Sequence, residues 1–297
     1  MNKSGNVITR DPEALLLAAL AILGFSGTLP ATRLAVPELG ASFVGCGRAV
    51  VASLFAAVLL LKVKAPLPSR RDLPGLLAVA LGVIIGFPLF TSLAARTLPA
   101  SHAAVFTGLV PAVTTAMAML RAGERPRPAF LAVAALGALS VVAFSLIVAR
   151  GTLTTADVYL MVAILAVAVG YAEGGIIAKH LGGSRVIAWA LLLVAPFMAI
   201  PVVTQVVRHG VHGSLQAWLG FAYVSGISMF AAFSAWYRSL ALGGIARTSQ
   251  LQLVQPVLTL LWCSLFLGEP LDAPTLTSGG MVVVCTALAR RTRFANS

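Results

Sequence analysis

Ten stretches of about twenty apolar residues, each long enough to cross the hydrocarbon of a bilayer as a helix, fill most of this chain. They fall at roughly 13–32, 39–61, 73–95, 100–120, 128–149, 156–178, 186–207, 215–238, 247–267 and 273–290. Short connections holding Pro, Gly and charge separate them, as in Lys62-Val63-Lys64-Ala65-Pro66-Leu67-Pro68-Ser69-Arg70-Arg71. Hydrophobic residues make up 59% of the 297 and charged residues 10%, against about 45–50% and about 25% in soluble chains. So little charge cannot coat a globule in water, which excludes the soluble, secreted, disordered and coiled-coil classes. The expected fold is an all-α integral membrane protein with ten transmembrane helices, and the first span is expected to be retained rather than cleaved as a signal.

The net charge of +12 arises from 21 Lys+Arg against 9 Asp+Glu. With the N-terminus cytoplasmic, sixteen of those cations fall on the inner side: Lys3, Arg10, Lys62, Lys64, Arg70, Arg71, Arg121, Arg125, Arg127, Lys179, Arg185, Arg238, Arg247, Arg290, Arg291 and Arg293. Four fall outside, namely Arg33, Arg96, Arg150 and Arg208, and Arg48 lies within the second span. Basic residues are retained on the cytoplasmic side, so both termini are expected there, in a bacterial inner membrane. The surplus positive charge therefore belongs to membrane lipid, not to nucleic acid: no basic stretch is interleaved with exposed aromatics.

The chain also matches itself. At an offset of 145, Pro111 meets Pro256, Thr114 meets Thr259, and Gly123-Glu124 meets Gly268-Glu269. At 146, Asp11 meets Asp157, Gly24 meets Gly170 and Phe25 meets Tyr171. Residues 1–150 and 151–297 thus read as two repeats of five spans. Because five is odd, the second repeat enters the membrane from the opposite side. Inverted repeats that enclose a midplane site are an architecture of secondary transporters. A symmetric channel is the alternative.

Polar groups inside spans are costly and mark candidate sites. Glu173, beside the small-residue pair Gly170 and Gly174, either binds a substrate ammonium or a coupling proton, or forms an ion pair with a basic neighbour such as Arg48. Arg48 has no basic counterpart in the second half and pairs with Glu173 or snorkels outward. His102 opens the fourth span, where it titrates or hydrogen-bonds at the interface. His180, His209 and His212 fall at span ends or in loops and read as solvated. Gln250, Gln252 and Gln255 share one span, and their amides need partners that a wet cavity supplies. Pro256 frees the Gln252 carbonyl, and Pro111 acts likewise in the fourth span. Phe87, Phe90, Phe106, Tyr171, Trp236 and Tyr237 are aromatics able to stack on a substrate.

Catalytic signatures are missing. None of the lysines sits in a phosphate-binding loop, and no H-E-x-x-H, Cys-x-x-Cys or nucleophile-elbow pattern occurs. No enzyme activity, cofactor or metal is expected. Cys46, Cys263 and Cys285 lie in apolar runs and read as small packing residues.

Ser234-Ala235-Trp236-Tyr237-Arg238-Ser239-Leu240, then Gln255-Pro256-Val257-Leu258 and Leu267-Gly268-Glu269-Pro270, resemble the second-half signature of the drug/metabolite transporter (DMT) superfamily. Pro111 through Ala122-Gly123-Glu124 is a weaker first-half copy. More narrowly the chain is similar to the ten-span EamA-type branch, and within it to the YddG-type exporters of aromatic amino acids. The resemblance covers nearly the whole chain. It implies ten helices, cytoplasmic termini and a central cavity lined by spans 1, 3, 4, 6, 8 and 9. Phe87, Val110, Pro111, Glu173, Trp236, Gln252 and Gln255 fall at or near its cavity positions. Val110 stands where a Trp is expected, a departure from strict aromatic selectivity. The small multidrug members carry a first-span Glu that this membrane interior lacks, so their coupling mechanism does not transfer.

The reading is a secondary transporter exporting small metabolites, amino acids including aromatic ones, by alternating access. Its substrate contacts are expected among Phe87, Phe90, His102, Phe106, Pro111, Tyr171, Glu173, Trp236, Gln250, Gln252 and Gln255. Its partners are a small-molecule substrate, membrane lipid and, if coupled, protons. The alternative is a channel or a non-transporting membrane scaffold.

Overall fold

The computed structural model describes residues 12–122 and 154–271, with isolated helical positions between 132 and 139 and between 273 and 284. Side chains at 209, 246, 247 and 250 are not described. Among the described residues all regular structure is helical. Seven helices are long and apolar enough to cross a membrane: α1 (Pro12–Leu39), α2 (Ala41–Lys62), α3 (Leu73–Ala94), α4 (Ala100–Arg121), α5 (Thr155–Leu181), α6 (Gly183–Arg208) and α7 (Leu215–Gly243). A shorter apolar helix, α8 (Leu251–Leu267), follows a five-residue helix, Ile245–Ser249. These correspond to eight of the ten expected spans. The stretches 128–149 and 273–290, with Glu124 and Cys285, lie outside the continuously described residues.

Large side chains such as Leu20, Leu54, Leu81, Leu165, Phe197 and Leu219 are exposed on the outer faces of these helices. A bilayer covers that surface, whereas water would not tolerate so much of it. This is an integral membrane protein.

Connections are tighter than the sequence suggests. The first span was expected to end near residue 32, yet α1 runs on to Leu39 with Pro37 inside it. The helix is interrupted only at Gly27, and Pro30 occupies the first turn of the segment Thr28–Leu39, where its missing N–H costs little. One glycine then turns the chain into α2. Gly40 (φ +84°), Gly182 (φ +86°) and Gly244 (φ +81°) each form a single-residue joint between successive helices. Backbone of that hand strains any residue with a Cβ.

Glycine also sets the spacing inside the bundle. α3 packs on α5, α1 on α7, and α2 on α6. A Cβ on Gly82 of α3 would lie 2.2 Å from the Ala166 carbonyl oxygen of α5, and one on Gly170 would lie 2.5 Å from Val83. On the other pair, a Cβ at Gly24 of α1 would lie 2.8 Å from the Ala232 methyl of α7. Gly170 and Gly174 therefore do admit close neighbours, but different ones: Gly174 faces the Tyr237 ring of α7. Both α3 and α7 contain a π-helical stretch, Ala80–Gly86 and Tyr223–Ala232, at these interfaces.

Carboxylates fasten the helix ends. At one end Glu269 accepts the backbone N–H groups of Ala100 (2.9 Å) and Ser101 (2.8 Å), the first residues of α4. A carboxylate there satisfies orphan donors and meets the positive end of the helix dipole. Beside it Asp157 closes a capping box with Thr154 and meets the His102 ring at 2.7 Å. Glu38 accepts from the Ser214 N–H and hydroxyl. At the other end Glu13 pairs with Arg238. There Asp72, just before α3, accepts from Ser69 and meets His180 Nε2 at 2.7 Å. His180, expected to be solvated, is thus largely exposed yet partnered.

The His180 bond, and after it the Ser69 hydroxyl, hold the Asp72 carboxyl below the usual carboxylate range. A depressed folded-state value stabilises at pH above the ordinary carboxylate pKa of about 3.9 and is lost as pH falls through the folded value. Thermal unfolding of the wild type and Asp72→Asn should therefore differ at neutral pH and converge in acid. Separately, Gly82→Ala should destabilise the bundle by about 1–3 kcal/mol through overpacking, read as a lowered unfolding midpoint.

Candidate functional site

Two prolines shape the centre of the bundle. Pro256 cannot donate to the Gln252 carbonyl, and the chain responds by tightening: Gln250–Leu253 is 3₁₀-helical, and the Val254 N–H approaches the Gln252 and Leu251 carbonyls. Ahead of Pro111, α4 is likewise interrupted at residues 108–109, with the Gly108 and Leu109 N–H groups bonded to Val105 and Phe106 three residues back.

The altered winding turns Gln252 inward, where it is 3% exposed. Its Nε2 donates to the Tyr171 hydroxyl and to Gln255 Oε1, each at 3.3 Å, while its Oε1 has no partner. Tyr171 belongs to an aromatic cluster with Phe25, Phe233 and Trp236. Ring centroids lie 4.6 Å apart for Phe25–Phe233, 5.5 Å for Tyr171–Trp236 and 6.1 Å for Phe25–Trp236. Trp236 is fully buried and its indole N–H is unpartnered. Tyr237, beside it, donates to the Gly170 carbonyl at 3.1 Å. The Trp262 N–H of α8 reaches Ser26 Oγ of α1 at 2.9 Å. A buried donor, the Trp236 N–H, and a buried acceptor, Gln252 Oε1, thus stand unused on two side chains that both touch Tyr171. Each such group costs about 1–3 kcal/mol until something satisfies it.

Four of the expected contact residues come together here: Tyr171, Trp236, Gln252 and Gln255. Gln250 is placed in the 3₁₀ turn, its side chain outside the described residues. The others lie elsewhere. Glu173 is two residues from Tyr171 and so faces another side of α5. It pairs with Arg121 at the end of α4 rather than with Arg48. Glu173 is 14% exposed and Arg121 63%, so the pair is not sealed inside the bundle. His102 is buried, stacks on Phe106 at 5.5 Å and is tied to Asp157, forming a clasp between α4 and α5. Phe90 contacts Tyr159 at 5.8 Å. Phe87 is half-buried against the main core, and buried Pro111 gives its carbonyl to the Thr115 hydroxyl.

Phe25 and Phe233 are not among the expected contact residues. Phe25 carries a signal in the sequence, since it aligns with Tyr171 in the self-match. Asp157 carries one too, as the counterpart of Asp11. The aromatic cluster is packed shut rather than wet. Open space lies at the two ends: a depression of about 590 Å³ lined by Arg33, Pro37, Ser42, Arg96 and Gln205, and one of about 580 Å³ lined by Lys179, His180, Arg185 and Arg238. Among the described residues no three His, Cys, Asp or Glu side chains are grouped to hold a metal.

The profile of the EamA-like transporter family matches residues 13–146 and, again, 154–291. The chain belongs to that family. It is 43% identical over 273 residues to an uncharacterized transporter, YdeK, of Bacillus subtilis (strain 168), covering 92% of this chain and 95% of that protein. A protein of known crystal structure, 20% identical, shares the fold with a TM-score of 0.64 over 93% of this chain and 98% of the other. Membership makes this EamA protein a membrane transporter, with a small molecule as its substrate.

Tyr171→Phe removes the hydroxyl that Gln252 bonds. The expected loss is about 1 kcal/mol, from one buried hydrogen bond, seen as a lower unfolding midpoint in detergent.

Proposed function

We propose that the protein is a secondary transporter that exports small metabolites, amino acids including aromatic ones, by alternating access. Two inverted five-helix repeats, residues 1–150 and 151–297, rock about a site between them. The observation that carries this reading is the closed cluster of Phe25, Tyr171, Phe233, Trp236 and Gln252. Its rings offer stacking surface, while the unused Trp236 N–H and Gln252 carbonyl oxygen offer one donor and one acceptor. An aromatic amino acid has matching parts.

The repeat is supported by the double family match, by π-helical stretches in both α3 and α7, and by proline-linked irregularities in both α4 and α8. The helix pairs α1–α7 and α5–α3 are also exchanged when α1 is equated with α5 and α3 with α7. Cytoplasmic termini in a bacterial inner membrane follow from the distribution of Lys and Arg. Of the remaining expected contacts, Glu173 is best placed for proton coupling. It is a partly exposed carboxylate inside a span, held by Arg121.

Counterflow in liposomes tests the mechanism: internal unlabelled L-phenylalanine should accelerate uptake of the labelled compound, and Trp236→Ala should reduce it at least about tenfold. No trans-stimulation across the amino acids would favour a channel or scaffold. Glu173→Gln should reduce transport driven by an imposed proton gradient while leaving counterflow intact; unchanged driven transport confines Glu173 to pairing.

A further inference from the structure

The second helix carries a charge that no described carboxylate neutralises. Arg48 is 1% exposed, among the largest fully buried side chains. Its Nη2 donates to Ser228 Oγ at 2.9 Å, and Ser228 shares a hydrogen bond of 2.7 Å with the Thr28 hydroxyl. Nε and Nη1 have no partner. Every described carboxylate is engaged elsewhere: Glu13 with Arg238, Glu38 with Ser214, Asp72 with His180, Asp157 with His102, Glu173 with Arg121, and Glu269 with the start of α4. A guanidinium does not shed its proton in a protein, and an uncompensated buried charge is among the costliest features a fold can hold.

The surroundings are made for close approach and hydrogen bonding. Glycines flank Arg48 on α2. A Cβ on Gly45 would lie 3.3 Å from the Leu89 backbone of α3, and one on Gly47 would lie 3.1 Å from the Phe221 ring of α7. Ser228 stands in the π-helical stretch of α7, a distortion found disproportionately at functional sites. Thr28 follows the interruption of α1 at Gly27. One turn further along α1, Thr32 is buried with its hydroxyl unpartnered, as is Ser92 on α3. Arg33 follows Thr32, and with Arg96 it lines the depression of about 590 Å³ at that end of the bundle. Positive charge at the mouth attracts anions.

We infer that Arg48, with the Ser228 and Thr28 hydroxyls, is the recognition site for the anionic group of the substrate, and that the protein carries small carboxylates, amino acids among them. This rests on the transporter reading and assigns the substrate's charged end to α2, a helix on which no expected contact residue lies. A planar carboxylate matches an edge of the guanidinium, pairing the free Nε–H or Nη1–H with the second Nη2–H. The fork is buried in this closed arrangement, so the site forms as α1, α2 and α7 part.

Phenylacetate and its neutral isostere phenylacetamide test the assignment on the full-length protein. In detergent, phenylacetate should raise the unfolding midpoint of the wild type, while phenylacetamide, or chloride at equal ionic strength, should not. In liposomes, counterflow should favour phenylacetate over phenylacetamide by at least about tenfold. Arg48→Met should fold with a midpoint at or above the wild type, since a buried unpaired charge is removed. It should lose both the stabilisation and the preference. Ser228→Ala, which keeps the charge, should weaken phenylacetate binding severalfold. Equal stabilisation by acid and amide, or a preference retained in Arg48→Met, overturns the assignment. Selective stabilisation of the wild type without counterflow of any solute keeps the anion site and overturns transport instead. Should Arg48→Met fail to fold, Arg48→Lys decides. Loss of acid selectivity in a folded lysine variant supports the fork, and full retention refutes it.

Discussion

Hydrocarbon offers a polypeptide no hydrogen bonds, and the organisation of this bundle follows from that single deprivation. Each backbone must satisfy itself, so the described chain is helical from one membrane face to the other. Each ionised group must either reach an end of the bundle or find a partner inside it. Five of the six described carboxylates take the first course and bind helix termini and their neighbours, as Glu269 does with the first N–H groups of α4. Glu173 takes the second, through Arg121. Arg48 stays inside with only the Ser228 hydroxyl and no described counter-charge, which is why it stands out against an otherwise settled arrangement.

Van der Waals contact and backbone proximity hold such a bundle together, because lipid gives apolar side chains no reason to prefer one another. The glycines at 24, 82 and 170 answer that need by letting helix backbones almost touch. The two π-helical stretches lie where α3 meets α5 and α7 meets α1, so the close approaches at Gly82 and Gly24 coincide with irregular winding. A helix wound this way offers hydroxyls and carbonyls at angles that regular helix does not, and Ser228 is an example.

The spans were legible because twenty apolar residues in a row fit little besides a membrane-crossing helix, and boundaries at charged connections such as Lys62 to Arg71 were read closely. Boundaries at glycine were not. The first span was expected to stop near residue 32, but Pro30 falls near the start of a helical segment, where a proline costs little, and whether α1 restarts at Thr28 depends on what packs beside it. The aromatic and glutamine-rich centre was half legible. Tyr171, Trp236, Gln252 and Gln255 were recognisable as polar or aromatic groups in apolar runs, yet Phe25 and Phe233 looked like ordinary membrane filler. Partner choice was the least legible of all. Glu173 has several basic residues within reach of a one-dimensional reading, and only the packing of α4 on α5 selects Arg121 over Arg48.

The joints at Gly40, Gly182 and Gly244 limit how such a molecule moves. One residue bridges about 3.8 Å of chain, so helices coupled by a single glycine hold no slack. α1 cannot slide along its axis without dragging α2, and the same holds for α5 with α6 and for α7 with the short helix after it. Sliding of individual helices is thereby suppressed, and the available motion is the swing of paired helices as stiff levers about their shared corners.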